Sequence, residues 1–350
     1  MERRGHLQYR DLGRSGLKVS AFGLGVMTFG GQTLEDDAMR QLDMAHDAGV
    51  ILFDTAENYP IPTGPETQGR SEEVLGRWIA SRGLRDKVIV ATKVAGPGNA
   101  AGDMTHIRGP ERRLDRANIR QAVEDSLRRL GTDYIDLYQL HWPERAVTTL
   151  GRSRYSHLPD APEQVPLGET LAVLGELVDE GKVRAIGVCN ESPWGAMAYL
   201  RLAEAGGLPR IAAIQNSYSL LDRYFELGLA ETSMREGLGL LAYSPLARGT
   251  LTGKYAGGAS GQSKGFAARM LSENKQRAIA AYGEVARAHG LEPAHMALAF
   301  AKAQPFMASV LMAASSVDQL RENLGAIELS LPKEAVQAIN AIHDANPNPK

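Results

Sequence analysis

The chain has 350 residues, 43% of them apolar, and a formal net charge of −2, which allows a sizeable core and gives no electrostatic case for nucleic acid or an acidic membrane surface. Its one cysteine, Cys189, excludes an internal disulfide and fits a reducing compartment. Residues 1–6 are not followed by the apolar stretch of a signal peptide, and no apolar run approaches the roughly 20 residues of a membrane-spanning helix, so a cytoplasmic protein is expected.

Segments 7–11 and 17–20 flank Gly13-Arg14-Ser15-Gly16 and read as a hairpin. Residues 21–27 form the first candidate barrel strand. Its Gly23-Leu24-Gly25 lacks the third glycine of a dinucleotide fingerprint, since Thr28 stands there, and a Rossmann reading is rejected. Further apolar, β-branched runs lie at 51–54, 88–94, 135–141, 185–189, 212–215, 239–243 and 309–313. Helical patterns fall between them, among others at 36–48, 114–130, 170–180, 193–205 and 273–288. Strands and helices alternate at even spacing with no Pro- or Ser-rich linker. The pattern predicts an α/β chain folded as a single (β/α)8 TIM barrel, one domain, rather than an open doubly wound sheet. Connections 60–70, 95–113 and 143–167 are longer than a barrel needs. Each follows a strand, on the C-terminal face, where it either shapes a substrate pocket or is a tolerated insertion. Residues 255–275, rich in Gly, Ser and Lys, read as a fourth and mobile connection.

Polar residues close three consecutive strands. The run 51–54 ends on Asp54, with Tyr59 one short loop later; Lys93 lies near the end of 88–94; His141 ends 135–141. Singly, Asp54 reads as a helix cap, Tyr59 as a packing aromatic and His141 as a satisfied structural histidine. Together, on parallel strands, they converge on one face, where a buried lysine needs a carboxylate. The set makes chemical sense. An ammonium beside a phenol lowers its pKa from about 10, Asp54 holds the ammonium, and His141 orients a carbonyl for protonation by Tyr59.

The tetrad Asp54, Tyr59, Lys93 and His141, with the phrases around it, resembles that of the aldo-keto reductases. Tyr59-Pro60-Ile61-Pro62-Thr63-Gly64-Pro65-Glu66-Thr67-Gln68-Gly69 and Leu140-His141-Trp142-Pro143 look most like the bacterial Tas-like branch. The resemblance implies an eight-stranded barrel plugged by the hairpin, a nicotinamide cofactor, usually NADP(H), and reduction of a small carbonyl substrate. It carries cofactor contacts onto Asn190 and Gln215, and onto Cys189, where the family has serine. Tyr243 matches the aromatic that stacks on the nicotinamide. Ser244, Leu246, Gly249 and the following Lys254 match a pyrophosphate loop, and Ser315, Gln319, Glu322 and Asn323 the adenosine clamp. Ala313 replaces a usual glycine, and no arginine stands at the phosphate-facing positions, so the charge near the 2′-phosphate falls to Lys254 and the segment around Lys264. Met27 and Asp54 complete the cofactor set. Phe29, Tyr59, His141 and Trp142 are the substrate-side candidates, although Met27, Phe29 and Trp142 are equally plausible packing residues. No metal is expected, because His6, His106, His157 and His295 lack ligand partners at suitable spacing. The alternative within the same barrel is a cofactor-binding regulatory subunit like the channel β subunits. Those tend to lose the tetrad histidine, which is present here. Oligomerisation is left open.

Overall fold

The computed structural model describes residues 7–98, 103–147, 155, 157, 159, 163–253 and 271–349. Two short strands, β1 (Tyr9–Asp11) and β2 (Lys18–Ser20), pair antiparallel as the hairpin. The next eight, β3 (Phe22–Gly25), β4 (Leu52–Asp54), β5 (Ile89–Val94), β6 (Ile135–Leu140), β7 (Val183–Cys189), β8 (Ile211–Ser217), β9 (Gly239–Tyr243) and β10 (Met307–Met312), are parallel. They close into a barrel where β10 pairs with β3. The expected (β/α)8 architecture is the observed one.

The first strand is shorter than the expected 21–27. Phe29 N–H turns back to the Val26 carbonyl and Gly30 takes a φ of 76°, so the chain bends off the sheet there. The strand expected at 212–215 instead runs on, because Asn216 and Ser217 still pair with Ala242 and Tyr243.

Helices cover the outside, and their ends are set by local chemistry. Asp115 and Ser192 accept from the backbone N–H three residues on, capping helices Arg116–Leu130 and Pro193–Gly206. Helix Arg116–Leu130 ends on the left-handed Gly131, as side chains with a Cβ rarely can.

Two apolar layers result. One, with Phe53, Val90, Tyr138 and Val188, lies between the strands and the helices. The other fills the barrel with Leu52, Ile89, Ala91, Leu137, Ala213, Leu241 and Leu311, and Leu12, Leu17 and Val19 of the hairpin close it from below. No helix among the described residues is long and apolar enough to cross a membrane.

Candidate active site

A strand presents the same face every second residue. Ala91 and Leu137 pack inside the barrel, so Lys93 on β5 and Gln139 on β6 continue inward toward the C-terminal mouth, and they face each other in register. The same step leads from Leu52 to Asp54 and from Ala213 to Gln215. His141 directly follows β6, its N–H bonded to the Val94 carbonyl at 2.9 Å. The interior therefore turns from apolar to polar within two residues along each of these strands.

The Lys93 ammonium is fully buried and donates to Asp54 Oδ2 at 2.6 Å and to the Thr55 carbonyl at 2.8 Å. It also lies 5.0 Å from the centre of the Tyr59 ring. The Tyr59 hydroxyl is 3.4 Å from His141 Nε2, with the two rings edge to face. Asp54 Oδ1 accepts from Gln215 Nε2 at 2.8 Å and from Gln139 Nε2 at 3.2 Å. The four tetrad side chains meet at one place, as the strand-end reading anticipated.

Burial is the largest single influence on Lys93 and alone would lower its pKa, but the charge and hydrogen bond of Asp54, with Tyr59 and Cys189 adding to them, together outweigh it and hold the ammonium above its ordinary value. Burial and the Lys93 charge drive His141 well below an ordinary histidine, so its ring is neutral at physiological pH. Tyr59 corrects an expectation. Lys93 does pull the phenol down, yet burial pushes it up more and Asp54 adds to the rise, leaving it at about 12. The physical reason is that a phenolate loses its water here, while the ammonium that would compensate is already paired to Asp54.

The aldo/keto reductase family model matches residues 21–344 of this sequence. The chain belongs to the aldo/keto reductase family. It is 50% identical over 342 residues to Protein tas of Escherichia coli (strain K12), covering 96% of this chain and 98% of that protein, which sets it in a Tas-like branch. It is 33% identical over 339 residues to the uncharacterized oxidoreductase YrpG of Bacillus subtilis (strain 168), with 96% of each chain covered. Identity to the L-glyceraldehyde 3-phosphate reductase of Escherichia coli (strain K12) is 31% over 344 residues, 93% of this chain and 89% of that one. Membership makes the protein an oxidoreductase, of a family that generally uses a nicotinamide cofactor.

Around the tetrad of this aldo/keto reductase, the ends of the later strands carry the remaining predicted residues. Asn190, at a φ of 56°, donates to the His141 carbonyl at 2.9 Å and to Cys189 Sγ at 3.3 Å. Its carbonyl oxygen accepts from the Tyr243 hydroxyl at 2.6 Å, which fixes that ring. The Cys189 thiol is buried 3.9 Å from Gln215 Oε1, and burial pushes it up to about 12, so it stays protonated. Ser244, Leu246 and Gly249 lie in the turn after β9, where Ser244, Ala247 and Arg248 all take positive φ. Such a run of left-handed side-chain-bearing residues is costly and clusters at functional turns. Beyond β10, the Ser315 hydroxyl and N–H both donate to Gln319 Oε1, at 2.9 and 3.1 Å, and Asn323 Nδ2 reaches the Ala313 carbonyl at 3.4 Å. Glu322 is exposed. Lys254 and Lys264 lie outside the described residues.

On the substrate side, Met27 is 39% exposed and Trp142 is half-buried, its indole N–H donating to the Pro97 carbonyl at 2.8 Å. Phe29 departs from the expectation in place: at 1% exposure its side chain is part of the packing between strands and helices, beyond the bend after Val26. Two features escaped the sequence reading. Gln139 was signalled only by its spacing of two from His141, which puts both on one strand face. The buried pair Glu57–Arg108 gave no local sign. With Arg112, whose guanidinium donates to the carbonyls of Gly96, Gly98, Met104, Ile107 and Gly109, it pins the connection after β5 beside Trp142.

Proposed function

We propose that the protein reduces the carbonyl of small aldehydes or ketones with NADPH in the cytoplasm, and that Tyr59 supplies the proton. The observation that carries this reading is the Tyr59 hydroxyl set between the neutral His141 ring and the buried Lys93–Asp54 pair. A phenol at about 12 is protonated throughout the physiological range and available to donate. As its proton leaves, the Lys93 charge stabilises the phenolate that forms. His141, with its proton on Nε2, can donate to the same carbonyl oxygen and orient it against Tyr59. Trp142 and Met27 are apolar groups at the mouth that suit a small carbonyl compound. The 31% identity to a protein named as an L-glyceraldehyde 3-phosphate reductase supports an aldehyde among the substrates.

The residues present fit a nicotinamide cofactor. Asn190, Gln215 and the anchored Tyr243 ring offer polar partners and a flat face next to the tetrad. Ser244, Leu246 and Gly249 suit a pyrophosphate, and Ser315, Gln319, Glu322 and Asn323 an adenosine end. The cofactor supplies the hydride that the carbonyl carbon receives. Tyr59→Phe removes only the hydroxyl and should cut turnover by ~10²–10⁴ while cofactor affinity, read by quenching of protein fluorescence, stays within about twofold. A variant keeping more than half of wild-type turnover would remove Tyr59 from the mechanism. Equal affinity for NADPH and NADH in the same titration would sink the NADP preference.

A further inference from the structure

Asp54 can only accept hydrogen bonds while ionised, and that fixes the direction of everything attached to it. Gln139 must turn its NH2 toward Oδ1, at 3.2 Å, and Gln215 must do the same at 2.8 Å. With its NH2 committed, Gln139 presents Oε1, and Gln215 Nε2 donates to it at 3.2 Å. Both hydrogens of Gln215 are then spent, so its Oε1 is the polar atom left over, and among the described residues it has the Cys189 thiol near it at 3.9 Å. Gln139 is wholly buried and Gln215 is 2% exposed, so water does not compete for these groups. Space for the Gln139 side chain comes from Gly187, paired with it on β7, where a Cβ would stand 3.2 Å from Gln139 Cγ. With Oδ1 saturated by two neutral donors, Oδ2 is the oxygen that serves Lys93, at 2.6 Å.

We infer that Gln139 is a positioning residue of the reaction, which sets Oδ2 of Asp54 against Lys93 and turns the carbonyl oxygen of Gln215 to the cofactor side. The inference rests on the reading of Tyr59 as the acid and Lys93 as its modulator. Gln139→Met keeps the length of the side chain but removes the donor to Asp54 and the acceptor for Gln215. The expected result is a fall in kcat of about tenfold to a hundredfold, the scale of a lost hydrogen bond to a charged group, with KM for the carbonyl compound changed less than about threefold.

Gln139→Glu makes the test specific. At acid pH the introduced carboxyl keeps its proton and donates to Oδ1 as the amide does. Two carboxylates sharing a site hold one proton between them, so this proton is lost only well above the usual carboxylate range. The variant should therefore approach wild-type kcat at low pH and lose it as pH rises, a limb absent from both wild type and Gln139→Met. The cofactor-free protein gives a second readout. Above about pH 4.3 the unfolded chain releases the proton that the folded variant retains, so melting temperature should decline with rising pH more steeply than in wild type.

A wild-type pH profile in Gln139→Glu, or more than half of wild-type kcat in Gln139→Met, overturns the inference. So do losses that merely track lowered melting temperature at every pH, which would make Gln139 a packing residue. Should Gln139→Met fail to fold, Gln139→Glu at low pH still decides. Tyr59→Phe run in parallel separates the two claims. If it stays active, the reading of the site fails; if it is dead and both Gln139 variants behave as wild type, only the inference fails.

Discussion

Asp54 receives three donors within 3.2 Å, and only the Lys93 ammonium among them is charged. Lys93→Met would leave two neutral amides to support a buried carboxylate, a loss on the scale of about 3–5 kcal/mol for breaking a buried pair. Urea denaturation should show it as a lower midpoint together with loss of reduction. A midpoint equal to wild type would mean that Gln139 and Gln215 solvate Asp54 well enough alone. His141 makes the opposite kind of prediction. Its folded pKa lies well below that of the unfolded chain, about 6.5, so at lower pH the unfolded state takes up a proton that the folded state refuses. The histidine's contribution is fully present above about pH 6.5 and is lost as pH falls. Melting temperature between pH 7.5 and 5 should therefore drop further in wild type than in His141→Gln. Parallel curves would show that the ring titrates normally.

Elements carry two chemistries on their two faces. On β5, Lys93 points into the barrel, while the Thr92 hydroxyl on the other face donates to Glu72 at 2.6 Å, which pairs with Arg129 at 2.6 Å. That second pair ties helix Arg70–Arg82 to helix Arg116–Leu130, and it has no part in the tetrad. The connection after β5 is the element most directly bound to the mouth. Glu57 accepts from Ala95 N–H at 2.5 Å and from Arg108, so one buried carboxylate spans the ends of β4 and β5. Glu57→Gln keeps an acceptor but leaves the Arg108 charge buried without its partner, and should cost about 3 kcal/mol. It should also raise KM for the carbonyl compound more than it lowers kcat, because the displaced wall is the one Trp142 leans on. Faster proteolysis near residues 103–113 would report the loosening. A variant with wild-type stability and KM would show that this buried pair neither holds the wall nor shapes the mouth.

For the molecule as a whole, the barrel separates stability at one end from chemistry at the other. The hairpin closes the lower end with Leu12, at 0% exposure, and it fits there because Gly13 has no Cβ: one would stand 2.3 Å from the Ala212 carbonyl. Leu12→Ala should cost about 2–5 kcal/mol in denaturation experiments, as buried leucines do. At a temperature where the variant remains folded, kcat should stay within about twofold of wild type, because no tetrad residue touches the plug. A tenfold fall in kcat in the folded variant would show that the two ends are coupled.

The amino-acid sequence by itself determined what is local. Apolar runs of strand length, helical patterns between them and a carboxylate, lysine and histidine at three successive strand ends all depend on neighbours a few residues apart. They announced both the barrel and the convergence of Asp54, Tyr59, Lys93 and His141. Three things only the tertiary structure decided, because each is a balance between groups distant in the chain. Phe29 stands two residues from the half-exposed Met27, and only the bend after Val26 places it in the packing layer. Tyr59 ends up at about 12 rather than below 10, because burial by the whole barrel opposes one ammonium and prevails. Gln139 gains its place from Asp54, 85 residues away, and Gln215 from the same oxygen, 161 residues away. A side chain's period along its strand says which face it takes. Its partners there are set by the register and closure of all eight strands, which no short stretch of sequence contains.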